Sequence, residues 1–237
     1  MENRQLIILS LNTSTKQYSL ALLDNKTVLG EYLLSSGPSH FRDLMPGIDD
    51  LLEKTHLTPE QLEGITVAIG PGSFTGIRVG LAVAKGLSQG LGIPLVGVPT
   101  LAGLASQIPY ARQDICPVVT SRKGELFAGL FRRNPDNLLT RIEEDASLKV
   151  ADLPLLIKRK TILIGNDFTA QAPMIQKYVG KKALLAPQIL WNLRASSIGV
   201  LGLQRLLKGS SDSVSDLVPL YLRGADIRAG KKSPGIV

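Results

Sequence analysis

Ile65-Thr-Val-Ala-Ile-Gly70-Pro-Gly-Ser-Phe-Thr-Gly76 runs from an apolar stretch rich in β-branched residues, through a glycine turn, into a second apolar stretch with helical spacing. Residues 65–69 read as a buried strand and residues from about 76 to 90 as a helix. A strand-turn-helix junction is the unit of α/β sheets. It is also where free N–H groups and the helix dipole favour an anion. The spacing matches none of the common phosphate or nucleophile turns. A Walker loop needs Lys-Ser/Thr after the second Gly, and a dinucleotide loop needs its third Gly one residue earlier. A hydrolase elbow needs Gly two residues before Ser73, where Pro71 stands. Locally the stretch reads as a tight turn with Ser73 or Thr75 as helix N-cap.

Working outward, residues 6–11, 18–23 and 27–34 are short strand-like runs separated by polar turns. Phe41, Leu44, Met45, Ile48, Leu51 and Leu52 then recur at steps of three and four, which predicts an amphipathic helix. Pro46 inside it predicts a kink or a late start. After the quoted junction come a strand at 95–98 and a helix at 100–108. The second half repeats the order: strands at 115–121, 125–131 and 138–142, a helix at 152–158, a strand at 161–164, a helix at 168–178, a strand at 183–185 and a helix at 195–207. No residue-level repeat is visible, so the duplication rests on element order. The order βββαβαβα, twice, predicts an α/β chain of two lobes with mixed sheets, the duplicated actin-like (ASKHA, ribonuclease H-like) architecture. The expected units are residues 1–112, residues 113–222 and a basic tail, 223–237.

The chain has 237 residues, 44% apolar and 20% charged, with 27 Lys and Arg against 20 Asp and Glu, a net charge of +7. The excess is uneven. Residues 1–112 hold 8 basic and 9 acidic side chains, and residues 113–237 hold 19 and 11. A lone Cys116 excludes a disulfide framework and reads as an inert core thiol. His40 and His56, far apart, exclude a site built on neighbouring histidines; His40 reads as a cap or interface residue. The uncharged stretch 86–111 is broken by Pro94, Pro99 and Pro109, against a membrane span. A soluble, cytoplasmic chain without a membrane or a cofactor is the expectation.

In the actin-like fold two strand-turn-strand hairpins grip nucleotide phosphates. The corresponding turns are Asn12-Thr13-Ser14-Thr15 and Thr120-Ser121-Arg122-Lys123-Gly124. Neither holds the carboxylate that a metal or an attacking water needs. Asn12, Thr13, Ser14, Thr120, Ser121 and Gly124 therefore read as vestigial phosphate turns. In the second predicted helix Gly76, Gly80 and Ala84 form one row of small residues, and Ala82, Gly86 and Gly90 another. Interior helix glycines cost about 1 kcal/mol each relative to Ala, so close approach of another element is expected. Both rows packed within the chain, or one row facing a partner protein, are the two readings. The basic clusters Arg132-Arg133, Lys158-Arg159-Lys160 and Lys181-Lys182 read as solvated charge able to attract polyanions.

The run Gly70-Pro-Gly-Ser-Phe-Thr-Gly-Ile-Arg-Val-Gly80, continued by Ala84-Lys-Gly-Leu87, resembles the signature of the TsaB (YeaZ) family. Leu11-Asn-Thr-Ser14, Ser39-His40, Gly97-Val-Pro-Thr-Leu101, Arg122-Lys-Gly-Glu125 and Pro219-Leu-Tyr-Leu-Arg223 support it in order. The family usually has Asp where this chain has Asn12 and Thr120. The resemblance implies an actin-like fold without catalytic duty. The chain would be a partner of the paralogous enzyme TsaD, which transfers a threonylcarbamoyl group to N6 of an adenosine beside the tRNA anticodon, with the ATPase TsaE in the assembly. It implies no metal at His40 and tRNA contact through the complex. It places a heterodimer contact, or a homodimer without the partner, on the first two helices. The expected contact residues are Phe41, Leu44, Met45, Ile48, Gly76, Gly80, Val83, Ala84 and Leu87. An actin-like small-molecule kinase or ATPase is the alternative, and no nucleophile or acid pair supports a peptidase.

Overall fold

Strands β1 (Ile8–Asn12), β2 (Gln17–Leu23) and β3 (Val28–Ser35) run antiparallel in sequence, and β4 (Gly64–Gly70) and β5 (Leu95–Pro99) join β1 in parallel. The first sheet therefore has the order β3-β2-β1-β4-β5. These coordinates belong to a computed structural model that describes residues 6–35 and 42–222. Phe41, His40 and the tail 223–237 fall outside the described residues. Helices α1 (Leu44–Lys54), α2 (Phe74–Leu91) and α3 (Thr100–Ser106) follow β3, β4 and β5 in turn.

The second half repeats this arrangement. Strands β6 (Asp114–Thr120), β7 (Glu125–Arg133) and β8 (Leu139–Lys149) are antiparallel in sequence, and β9 (Thr161–Gly165) and β10 (Ala183–Leu185) add in parallel. Their order, β10-β9-β6-β7-β8, matches the first sheet strand for strand when read from the other edge. Helices α4 (Leu153–Leu156), α5 (Phe168–Val179) and α6 (Ala195–Leu206) fill the helical positions. The chain thus has two mixed five-stranded sheets in the actin-like α/β arrangement, as the element order predicts.

The central strands are buried on both faces, which is why β1 and β4 carry almost no alternation of polar and apolar residues. The last helix of each half lies between the sheets. Helix α3 packs on β6 as well as on β4 and β5, and α6 packs on β1, β2, β4 and β5 of the other half. Helix α6 comes close because Gly199 and Gly202 face the first sheet. A Cβ at Gly199 would sit 2.5 Å from Leu23 Cδ1, and one at Gly202 would overlap Thr66. Leu101, Leu104 and Ile198 share one apolar cluster with Ile115, Val118 and Leu163 of the second sheet, so the halves are packed through a common core.

Three boundaries differ from expectation. Strand β8 extends to Lys149 through Glu143-Glu144-Asp145, because it is a sheet edge where one side meets water and charge is tolerated. Helix α4 is a single turn, with Pro154 at its start and Ile157 already extended. Helix α1 begins at Leu44, which puts Pro46 in the first turn, where its missing N–H costs nothing.

Candidate functional site

The first phosphate-type turn is filled by the chain itself. Asn12, Thr13 and Ser14 are fully buried. The Asn12 amide donates to Leu193 O at 3.1 Å and Thr15 Oγ1 at 3.1 Å. Its carbonyl accepts from Ser14 N at 3.0 Å and Ser14 Oγ at 2.8 Å. Thr100 Oγ1 donates to Ser14 Oγ at 2.8 Å, and Thr13 Oγ1 donates to Gly76 O at 2.7 Å. The Gly70–Gly76 junction closes from above. Ser73 N donates to Ser14 O at 2.7 Å, and Ser73 Oγ caps α2 by accepting from Gly76 N at 3.2 Å. A Cβ at Gly72 would overlap Ser14 O, and one at Gly76 or Gly80 would overlap Thr13. These glycines let α2 and the turn before it pack directly against Thr13 and Ser14. The identity of Asn12 follows from its partners. A carboxylate could accept from Ser14 but would set an oxygen lone pair against the Leu193 carbonyl.

The second turn is open. Thr120, Arg122, Lys123 and Gly124 are exposed and Ser121 is half-buried. Thr120 N donates to Asn166 Oδ1 at 3.0 Å, and buried Gln171 donates from Nε2 to Thr120 Oγ1 at 3.1 Å and to Asn166 Oδ1 at 2.9 Å. A cavity of about 390 Å³ lies between the start of β2 and the β9–α5 junction, lined by Lys16, Gln17, Asn166, Asp167, Phe168 and Trp191 among others; Asn166 links it to the Thr120 turn. Asp167 already caps α5, accepting from Ala170 N at 3.0 Å. Neither turn holds an acid, and no cluster of three or more His, Cys, Asp or Glu able to hold a metal occurs among the described residues. The residues present do not fit a magnesium nucleotide held between two carboxylate-bearing turns. Cys116 is fully buried, and burial pushes its thiol up to about 12, so it is a core residue and not a nucleophile.

The helix residues expected to meet a partner divide sharply. Leu44, Ile48, Gly76, Gly80 and Ala84 are buried against this chain's own sheet and turn, so they are core packing and offer no side chain outward. Met45 is exposed, and Val83 and Leu87 are half-buried at the flank of α2, packed partly against the first-half core. Ala82, Gly86 and Gly90 are exposed, and a Cβ at Gly86 or Gly90 would meet nothing within 4 Å. One small-residue row therefore packs inside the chain and the other faces open space.

Two clusters were only partly legible in the sequence. Residues 212–222 form a strap along the first sheet: Asp212 N donates to Leu95 O at 2.8 Å, and Leu220 N donates to Ile69 O at 2.8 Å. At its end Tyr221 stacks on Phe74 with ring centroids 5.5 Å apart, and Arg78 lies 3.8 Å over the Phe74 ring and donates to Tyr221 OH at 2.8 Å. The second cluster is Asp114 with Arg132 and Arg159. Pro219-Leu-Tyr-Leu-Arg223 pointed to the first; for the second, the sequence marks Arg132 and Lys158-Arg159 as basic clusters able to attract polyanions but gives no sign that Asp114 joins them.

Comparison with known proteins identifies the family. Residues 35–229 match the family model described as "TsaD: tRNA N6-adenosine threonylcarbamoyltransferase". The chain is 32% identical over 225 residues to the tRNA threonylcarbamoyladenosine biosynthesis protein TsaB of Bacillus subtilis, covering 94% of this chain and 96% of that protein. It is 25% identical over 234 residues to the Escherichia coli protein of the same name, covering 96% of this chain and 98% of that protein. The solved YeaZ from Pseudomonas aeruginosa superposes with a TM-score of 0.76 at 23% identity, over 92% of this chain and 100% of that one. With a relative this similar over nearly its whole length, the chain belongs to the TsaB (YeaZ) family of tRNA threonylcarbamoyladenosine biosynthesis proteins.

Proposed function

We propose that this chain serves tRNA threonylcarbamoyladenosine biosynthesis as a non-catalytic scaffold that binds a TsaD-like paralogue, the catalytic transferase, with a TsaE-like ATPase in the larger assembly. The carrying observation is the filled first turn. Thr13 and Ser14 are fully buried, and Asn12 spends both ends of its amide on neighbours. Where a phosphotransferase would open a pocket, this chain packs itself shut, and its second turn brings hydroxyls and cations but no carboxylate. The function then moves to the outside of the same elements. Met45 on α1, and the exposed Ala82, Gly86 and Gly90 of α2 with half-buried Val83 and Leu87 at its flank, offer low, mildly apolar surface suited to close helix packing. The named relatives being biosynthesis proteins of this tRNA modification favours a paralogue of the same pathway as the occupant. Without it, a second copy of the chain can take the same surface.

Co-purification with a TsaD-like protein tests this. Gly86→Leu and Met45→Glu should abolish recovery of the partner while leaving the melting temperature within about 2 °C. Undiminished recovery by both folded variants would sink the scaffold reading at this surface. The alternative, an actin-like ATPase, is favoured only by the open cavity lined by Lys16, Gln17 and the β9–α5 junction. ATP turnover by the isolated chain, lost on removing Lys16, would establish it.

A further inference from the structure

Asp114 opens β6, Arg132 lies near the end of β7, and Lys158 and Arg159 precede β9. They meet at the end of the second sheet opposite the Thr120 turn and line a surface cavity of about 550 Å³, with Leu155 and Leu156 of α4 on its wall. The Asp114 side chain is 5% exposed and takes bonds from both arginines. Arg132 donates from Nε at 2.8 Å and Nη2 at 3.4 Å, and Arg159 from Nε at 2.7 Å and Nη2 at 2.9 Å. Burial alone would raise the Asp114 pKa. The hydrogen bonds from Arg159 and then Arg132 outweigh it and hold the carboxyl below its ordinary value.

A single carboxylate balances one cation, and here it orients two. With Lys158 lining the same cavity and Glu143 as the other acid, three cations face two carboxylates. Each guanidinium grips Asp114 by its Nε–Nη2 edge, which leaves the Nη1 corner directed elsewhere. Both arginines keep about half their side-chain surface open, 48% and 60%. Guanidiniums held by a buried acid have already lost the freedom that binding an oxyanion would otherwise cost. Leu155, 70% exposed beside them, offers apolar surface to whatever carries the anion.

We propose that this cavity is a binding subsite for the phosphate ester of a nucleotide, with Arg132 and Arg159 taking the oxyanion and Leu155 and Leu156 the organic body. The subsite lies in the other half from α1 and α2, so it stands or falls independently of the scaffold surface. A free nucleotide and an RNA chain present the same chemistry.

The test is a titration of the isotope-labelled full chain with inorganic phosphate, AMP and a short stem-loop RNA, following the side-chain Nε–H resonances of Arg132 and Arg159. Both resonances should move, and Arg132→Gln or Arg159→Gln should weaken AMP binding about tenfold or more. Leu155→Ser should weaken AMP and leave inorganic phosphate unchanged. RNA binding tighter than AMP, with that advantage lost in the arginine variants, assigns the site to RNA; equal affinities assign it to free nucleotides. Resonances unmoved at millimolar AMP and by the RNA overturn the proposal. Should the arginine variants fail to fold, Lys158→Gln decides, since its exposed side chain takes no part in the Asp114 bonds: weakened AMP binding sustains the subsite, and unchanged affinity overturns it.

Discussion

The β4–α2 junction and the β9–α5 junction occupy the same place in the two halves, and their residues correspond: Ser73-Phe-Thr-Gly76 in one, Asp167-Phe-Thr-Ala170 in the other. In each the first residue caps the helix by accepting from the N–H three residues on. In each the Phe meets an aromatic from a later segment, Tyr221 at 5.5 Å for Phe74 and Trp191 at 5.0 Å for Phe168. The halves thus share a short residue-level repeat that reading by element order missed. What differs is the helix behind the cap. In α2, Gly76 and Gly80 admit Thr13, and the turn is buried. In α5 the corresponding positions are Ala170 and Met174, and the turn at Thr120 stays exposed. Two glycines separate a closed half from an open one, and that contrast is open to attack by mutation.

The largest effect should come from Gly80→Leu. No rotamer clears Thr13, so either the helix or the β1–β2 turn must move. Overpacking of a buried position costs about 1–3 kcal/mol or more, here about 2–4 °C in melting temperature for each kcal/mol. Met174→Leu at the matching place in α5 should change stability by less than about 1.5 kcal/mol. Equal losses in thermal denaturation would erase the proposed difference between the halves. Asn12→Asp comes next. It places a carboxylate against Leu193 O in a fully buried site, at a cost of about 1–3 kcal/mol near neutral pH. Burial raises the folded pKa of that new acid above its unfolded value. The loss is therefore full above the folded pKa and shrinks as pH falls through it, where the neutral acid can donate to Leu193 O. Thr120→Asp, on the open turn, should stay within about 0.5 kcal/mol.

The same contrast marks what sequence can carry. Both βββαβαβα halves are legible, because hydrophobic period is a local property and survives without tertiary information. The orientation of small residues is not local. Gly80 and Gly86 look alike in the sequence of α2, and only the position of Thr13 decides that one is core and the other is surface. Nor does a period say which sheet α3 and α6 will cover, since both helices are apolar enough for either. Strand β8 ran past its expected end because Glu143 and Glu144 read as loop until its edge position is known. The site clusters are the hardest. Arg78 meets Tyr221 across 143 residues, and Asp114 meets Arg159 across 45, with nothing in either neighbourhood to announce the other.

The strap supplies a gentler test, because it covers the closed half. Tyr221→Ala removes a half-exposed stack worth about 0.5–1.5 kcal/mol. It should raise amide exchange at Leu220 and leave the Phe168–Trp191 pair unmoved. A smaller effect is expected where the strap joins β5. There Asp212 takes Arg205 Nη2 at 2.7 Å and Gly97 N at 2.8 Å. Burial pushes the Asp212 carboxyl up, but the Arg205 hydrogen bond and the Gly97 amide together hold it below its ordinary value. A depressed folded pKa means that the unfolded chain binds the proton first as acid is added. The contribution is therefore complete above the unfolded carboxylate value, about 3.9, and is lost as pH falls through the folded value. Arg205→Gln should remove no more than about 1 kcal/mol at pH 7, since both partners are partly exposed and water screens the pair. Its stability should converge on that of the parent chain as pH drops below the carboxylate range. A difference that persists undiminished in acid would mean that Arg205 contributes through its hydrogen bond to Gly97 O on β5, and not through its charge on Asp212.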